Sequence, residues 1–279
     1  MKRILLLCAT VCTLLSSYAQ TDTLPKKDLP LGGENDTLIV GGMVIIRGND
    51  AEAKMLRKKM YKPKNITTNW FVLDLGFSNF VDNTQYGVGT AANAYAPGSN
   101  EDWFKTKFGN SINVNIWLAM QKVNLVKHYV NLKYAAGLEL NNYRFKSPIV
   151  YKKITGANTG SPVVELDDVR NFKKSRLSAD YITVPLMLNF NFTPHNEREF
   201  GFSAGVSASV LYNSRHVIKT SEDGKQKVKD DFDLNRWKLS YVGELSLGFI
   251  KFYGSYAFKS MYNKGLDMTP YTLGVRFSY

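Results

Sequence analysis

From Trp70 to the end of the chain, apolar residues return at every second position in eight separate runs. Phe71, Leu73, Leu75 and Phe77 alternate with Val72, Asp74, Gly76 and Ser78, and Ile112 to Met120 alternate with Asn113 to Gln121. Val130 to Leu140 alternate with Asn131 to Asn141, and Ile182, Val184, Leu186, Leu188, Phe190 and Phe192 keep the same rule. Four more runs span Phe200 to Tyr212, Trp237 to Phe249, Phe252 to Phe258 and Tyr271 to Tyr279. A period of two is the signature of strands with one apolar face, and an even count suits a closed antiparallel barrel built from one chain.

Alternation does not say which face looks inward: a soluble barrel packs its apolar face inside, whereas a membrane barrel turns it toward lipid. Three features predict lipid. The polar face is mostly Asn, Ser, Gly, Thr and Gln, poorer in Lys and Glu than a water-facing surface. The connections alternate between long ones on one side and a few residues on the other, as transmembrane barrels arrange their loops. The aromatics also sort by depth: Phe71, Phe200, Phe249, Phe252, Phe277 and Tyr279 fall at one set of strand ends, Phe77, Tyr212, Trp237, Tyr241 and Tyr271 at the other. Amphipathic rings favour the headgroup layer, so two girdles are expected. The predicted fold is an all-β, eight-stranded antiparallel up-and-down transmembrane barrel over residues 69–279, with both termini on the short-turn, periplasmic side.

The start of the chain predicts export. Lys2 and Arg3 precede the apolar run Ile4 to Leu15, and Ser17-Tyr18-Ala19 offers a cleavage site, giving a signal peptide over 1–19. Cys8 and Cys12, the chain's two cysteines, lie in that segment, so no disulfide or thiol chemistry is expected after cleavage. No later stretch is long and apolar enough for a membrane-spanning helix. Removing Lys2 and Arg3 takes the formal charge from +12 to +10. In an exported chain that charge points to outer-membrane lipid and lipopolysaccharide and away from nucleic acid. Residues 20–68 read as a periplasmic leader: a polar stretch to Asp36, one or two short strands around Gly41-Gly42, and a basic helix over Asp50 to Tyr61.

The segments VLDLGFSNF at 72–80, SINVNIWLAMQKVNLVKHYVNLKYAAGLELNNYRF at 111–145 and ADYITVPLMLNFNF at 179–192 resemble the PorT-like outer-membrane β-barrel family of Bacteroidota. GSYAFKSMY and the final strand add to the resemblance, which covers about residues 69–279. It implies an integral eight-stranded barrel of the outer membrane; some relatives serve protein secretion, and the family brings no catalytic motif. The alternating Tyr271, Leu273, Val275, Phe277 and Tyr279 resemble the terminal signal read by barrel-insertion machinery, with Phe277 and Tyr279 as its aromatic positions. Asp22-Thr23-Leu24 and Asp36-Thr37-Leu38 resemble the sites at which Bacteroidota attach O-glycans, making Thr23 and Thr37 candidates.

Candidate chemistry is sparse. His128 and His195 fall in different short turns and His216 in a long loop, so no histidine pair has metal-ligand spacing. Gly87-Val88-Gly89 follows a strand and is expected to open no helix, unlike a phosphate loop. No catalytic residue, cofactor or metal is predicted. Parity instead sends Asp74, Lys133, Glu139, Glu244 and Arg276 into the lumen, with Trp117 and Tyr143 filling volume. An eight-stranded barrel is about narrow enough for side chains to fill, and buried charges there must pair. The long loops Lys146 to Arg176 and Arg215 to Lys238 are rich in lysine, with Lys173 and Lys227 as probes of partner docking. The expected function is a non-enzymatic structural and interaction barrel in secretion or envelope assembly, with an envelope or secretion protein as candidate partner. The alternative is a narrow channel for small solutes.

Overall fold

The computed structural model of the chain describes residues 37–40, 43–46, 63–152, 163–196 and 198–278. The expected signal peptide, the basic helix over 50–61, Thr23 and Tyr279 lie outside the described residues. The chain divides into two units after Leu56. In the first, β1 (Thr37–Val40) and β2 (Met43–Ile46) pair antiparallel with Val40 opposite Met43, so two strands flank the Gly41-Gly42 step.

In the second unit the strands follow as β3 (Ile66–Asp82), β4 (Ile112–Val126), β5 (Val130–Phe145), β6 (Ile149–Tyr151), β7 (Val164–Leu166), β8 (Phe172–Asn191), β9 (Glu199–Thr220), β10 (Lys225–Lys229), β11 (Trp237–Gly248), β12 (Ile250–Ala257) and β13 (Met268–Phe277). Eight of them form an antiparallel ring in the order β3, β4, β5, β8, β9, β11, β12, β13, and β13 pairs back onto β3. The first barrel strand begins at Ile66, three residues ahead of the expected boundary at 69.

The alternation decides the ring's polarity. Ile182, Val184, Leu186 and Leu188 are each between 44% and 51% exposed, while Thr183, Met187 and Asn189 between them are buried. Leu75, Phe77, Ile112, Val206, Leu245 and Leu273 are likewise exposed, and Asp74, Asn113, Ser203, Glu244 and Thr272 lie inside. Apolar side chains outside and polar ones inside are stable only where the outer surface meets hydrocarbon, so this barrel is a transmembrane one. Phe71, Phe200, Phe249, Phe252 and Phe277 are exposed at the short-turn rim, and Phe77, Tyr212, Trp237 and Tyr241 toward the other. The short turns are tight. Lys127 and His128 adopt left-handed φ of 45° and 63°, and Gly248 takes 74° in the two-residue link to Ile250, where glycine carries no Cβ penalty.

Two findings correct the sequence reading. In β4, Trp117 pairs with Gly137 and Ala119 with Ala136, leaving Leu118 as a bulge. The extra residue exchanges the faces beyond it: Met120, expected on the lipid side, is buried inside, and Ala119 and Gln121 face outward. Secondly, segments expected as loops are strand. β8 starts at Phe172 and not near Ile182, and β9 runs on to Thr220, eight residues beyond Tyr212. Strands β5, β8, β9 and β10 thus stand as a four-stranded extension past the apolar belt.

The other long connections fold over that rim. Helices α1 (Ala91–Tyr95) and α2 (Glu101–Phe104) lie between β3 and β4, β6 and β7 pair as a hairpin, and residues 231–236 and 258–268 complete the layer. Their apolar side chains form a cap core with Tyr95, Phe104, Phe145, Tyr151, Phe232 and Tyr262 at its centre. Thr90 caps α1 by accepting from the Asn93 N–H, so the Gly87-Val88-Gly89 turn does lead into a helix, contrary to expectation, though one of five residues.

Candidate functional site

The interior is built strand by strand from the inward positions. Asp74 on β3 and Arg276 on β13 are register partners, and the Arg276 guanidinium donates from Nε and Nη2 to the two Asp74 carboxylate oxygens at 2.7 Å each. The remaining arm of Arg276 donates to Glu244 on β11, which also accepts from Lys133 Nζ on β5 at 2.5 and 2.7 Å. Four of the five charges expected in the lumen therefore form one chain, Asp74, Arg276, Glu244 and Lys133. All four are buried. The planar guanidinium suits this position because its fork satisfies two carboxylates at once.

Glu139, the fifth, is paired elsewhere. It accepts from Lys238 Nζ at 2.5 Å, from Asn141 at 2.9 Å and from Thr183 Oγ1 at 3.1 Å. Lys238 was absent from the expected set, although it shares the parity of Glu244 on β11; its ammonium also lies 4.4 Å from the Tyr181 ring centroid. A further pair near the short-turn rim, Lys122 and Glu199 at 3.1 Å, also went unread because the Leu118 bulge moves Lys122 inward.

Neutral groups complete the packing. Trp117 Nε1 donates to Asp74 at 2.7 Å, and Asn115 donates to the same oxygen at 3.2 Å. Asn113 links Asn115 and Asn141 at 2.9 and 2.8 Å and accepts from the Tyr253 hydroxyl. Arg276 lies 5.7 Å from the Trp117 ring and 5.8 Å from that of Tyr253. A cavity of about 30 Å³ remains among these residues, room for roughly one or two waters. Each of these charges has an ionic partner on another strand, so the ion pairs tie the wall across the lumen.

Above it, the cap closes the long-loop rim with apolar side chains and oriented hydroxyls. Tyr95 donates to the Phe232 carbonyl at 2.7 Å, and the Tyr151 and Tyr262 hydroxyls share a 2.6 Å hydrogen bond. Burial raises all three phenols well above their ordinary range, so they remain protonated. His216, expected in a loop, is on the extended part of β9 and fully buried. The Tyr151 N–H donates to Nδ1 at 3.3 Å, which assigns the proton to Nε2 and directs it at Ser175 Oγ, 3.0 Å away; Ser175 in turn donates to the Ile149 carbonyl at 2.7 Å. Burial pushes this imidazole down to about 3. The site is a neutral structural link.

His128 and His195 lie in the β4–β5 and β8–β9 turns, apart from His216. Among the described residues no cluster of three metal-ligating side chains occurs. Lys173 and Lys227 lie on β8 and β10 and are exposed, Thr37 begins β1, and Phe277 ends β13 on the outer face.

A family model described as outer membrane protein beta-barrel domain matches residues 71–263. No curated protein matches the chain.

Proposed function

This chain belongs to the outer membrane protein beta-barrel domain family, and from that premise we propose that it is a non-enzymatic structural and interaction barrel serving secretion or envelope assembly. The cap then faces the outside and both termini the periplasm. The observation that carries the reading is the filled lumen: the Asp74–Arg276–Glu244–Lys133 chain bridges the interior, and the apolar cap core roofs the rim above it. A solute path would require breaking desolvated ion pairs, each costing several kcal/mol on the order of a buried pair. What remains for function is the outer surface of the cap and the leader.

Within the family, the segments at 72–80, 111–145 and 179–192 support a PorT-like barrel of Bacteroidota. Its partners are outer-membrane lipid and lipopolysaccharide, the insertion machinery that reads the final strand through Phe277 and Tyr279, and an envelope or secretion protein. The test is conductance of the refolded protein in a planar lipid bilayer, with folding verified by a heat-shifted gel band. A folded, inserted and silent barrel is the expected result. Stable, reproducible current steps would replace this reading with a narrow channel.

A further inference from the structure

The four-stranded extension carries cations on one face. In a sheet, residues directly opposite on neighbouring strands share a face, as do residues two apart on one strand. Arg144 on β5 is opposite Arg176 on β8. Two residues earlier on β8, Lys174 is opposite Lys219 of β9, which is opposite Lys225 of β10. Arg215 of β9 is opposite Lys229, and Val217 between them is opposite both Arg176 and Lys227. The register therefore gathers eight cations from four strands onto one surface, while His216, Ser175 and Leu177 point the other way, into the cap core.

Among the described residues, cations outnumber carboxylates on this surface; Asp180 approaches it, 3.7 Å from Arg215. The Nε atoms of Arg144 and Arg176 are sequestered without a hydrogen-bond acceptor. Partial burial, and then Arg176, Arg144, Lys225 and Lys219, hold the Lys174 amine below its ordinary range, as mutual repulsion requires. Beside the face opens a cleft of about 280 Å³ with Lys107, Lys146 and Lys173 on its wall; of its two aspartates, Asp167 and Asp168, the first is bound by Arg170 at 2.6 Å.

Position identifies the counter-charge. The face continues the lipid-facing side of the same strands: Arg144 follows Leu140 and Asn142 in parity on β5, and Arg215 stands three residues beyond Tyr212 of the aromatic girdle, on the same face because Tyr212 is a bulge between Leu211 and Asn213. At about 3.4 Å per residue the cations lie roughly 10 to 25 Å beyond that girdle along the strand, or about 8 to 18 Å in height at a strand tilt of about 40°, looking sideways along the membrane. The neighbour at that height and in that direction is the phosphate- and carboxylate-bearing saccharide layer of the outer leaflet. The guanidinium fork of Arg176 suits phosphate, whereas Arg144 already donates from Nη1 to Asn110 Oδ1 at 3.0 Å and from Nη2 to the Lys173 carbonyl at 3.2 Å and contributes its charge. We propose that the outward face of β5, β8, β9 and β10 is a binding site for the anionic headgroups of lipopolysaccharide, which neutralise it and anchor the cap in the leaflet. The inference rests on the orientation given under the proposed function.

The test uses the full chain refolded in zwitterionic detergent, with purified lipopolysaccharide and its dephosphorylated form as probes. Wild type should bind intact lipopolysaccharide, and the combined Arg176→Gln, Lys219→Gln, Lys225→Gln and Lys229→Gln variant should bind at least about tenfold more weakly, the gap narrowing as salt screens the contacts. Dephosphorylation should weaken wild type in the same direction, a result independent of whether the variant folds. Equal affinity of the folded variant, or indifference of wild type to phosphate removal, overturns the proposal. Labelling of Lys227→Cys on intact cells by a membrane-impermeant maleimide, with the parent chain as control for Cys8 and Cys12, separates the two failures. A labelled residue without charge-dependent binding overturns this site alone. An unlabelled one overturns the orientation and the site with it.

Discussion

Arg276 grips Asp74 through two 2.7 Å hydrogen bonds across the seam where the last strand of the barrel meets the first. The two residues are 202 positions apart in the chain and directly opposite in the sheet, so the bond forms only when the ring closes. Because Arg276 also serves Glu244, its removal leaves Asp74 without an ionic partner and Glu244 with Lys133 alone.

Arg276→Ala should therefore destabilise the folded barrel by about 3–5 kcal/mol. Arg276→Lys should recover part of that loss, since it restores the charge without the fork. The readout is the temperature at which the heat-shifted gel band converts. An unchanged conversion temperature for Arg276→Ala would remove the network from any account of stability.

Gly76 and Gly274 face each other beneath Tyr253 at the same seam. A Cβ on Gly274 would collide with the Leu75 carbonyl oxygen and lie 2.5 Å from Gly76 Cα and 2.7 Å from Tyr253 Cε1. Gly274→Ala should cost about 1–3 kcal/mol or more, since backbone must shift to admit the methyl group. Gly254→Ala is the control, because its Cβ meets the flexible tip of Leu273 at 2.9 Å; it should convert close to the wild-type temperature.

His216 makes the cap sensitive to acid. Above pH 6.5 the imidazole is neutral in both folded and unfolded chains and the residue adds no pH dependence. As pH falls below that value the unfolded chain takes up a proton that the folded cap refuses until about 3, so stability declines across this window. The linkage amounts to about 2 kcal/mol at pH 5. Protease resistance of the cap should drop between pH 7 and pH 5 in wild type, and His216→Gln should flatten that dependence. A wild-type cap equally resistant at both values would contradict the buried neutral imidazole.

Intact mass of the protein purified from the envelope tests two readings of the leader together. Cleavage after Ala19 should remove the first 19 residues, and O-glycosylation at Thr23 or Thr37 should add saccharide mass that Thr23→Ala and Thr37→Ala abolish. A mass equal to the unmodified mature chain would remove the glycan.

Much of the lumen was legible because parity is a local property. Asp74, Lys133, Glu139, Glu244 and Arg276 stand opposite apolar neighbours in runs long enough to assign a face, and Lys238 was readable by the same rule from Glu244. Lys122 was not readable, since a bulge at Leu118 changes its face and nothing in the spacing of β4 marks one residue as extra. The cap was hidden for another reason. Tyr95, Tyr151, Phe232 and Tyr262 come from four separate connections without periodicity, and each becomes a core residue only when the others arrive.

The sequence by itself determined the barrel: a period of two, an apolar face left for lipid, alternating long and short connections and a polar interior all follow from backbone geometry and side-chain transfer energies that act residue by residue. The tertiary structure decided which charge meets which, that β8 and β9 continue past the apolar belt, that His216 is buried and neutral, and that eight cations share one outward face. Those outcomes depend on register between strands and on contacts between distant loops, which arise from closing the ring.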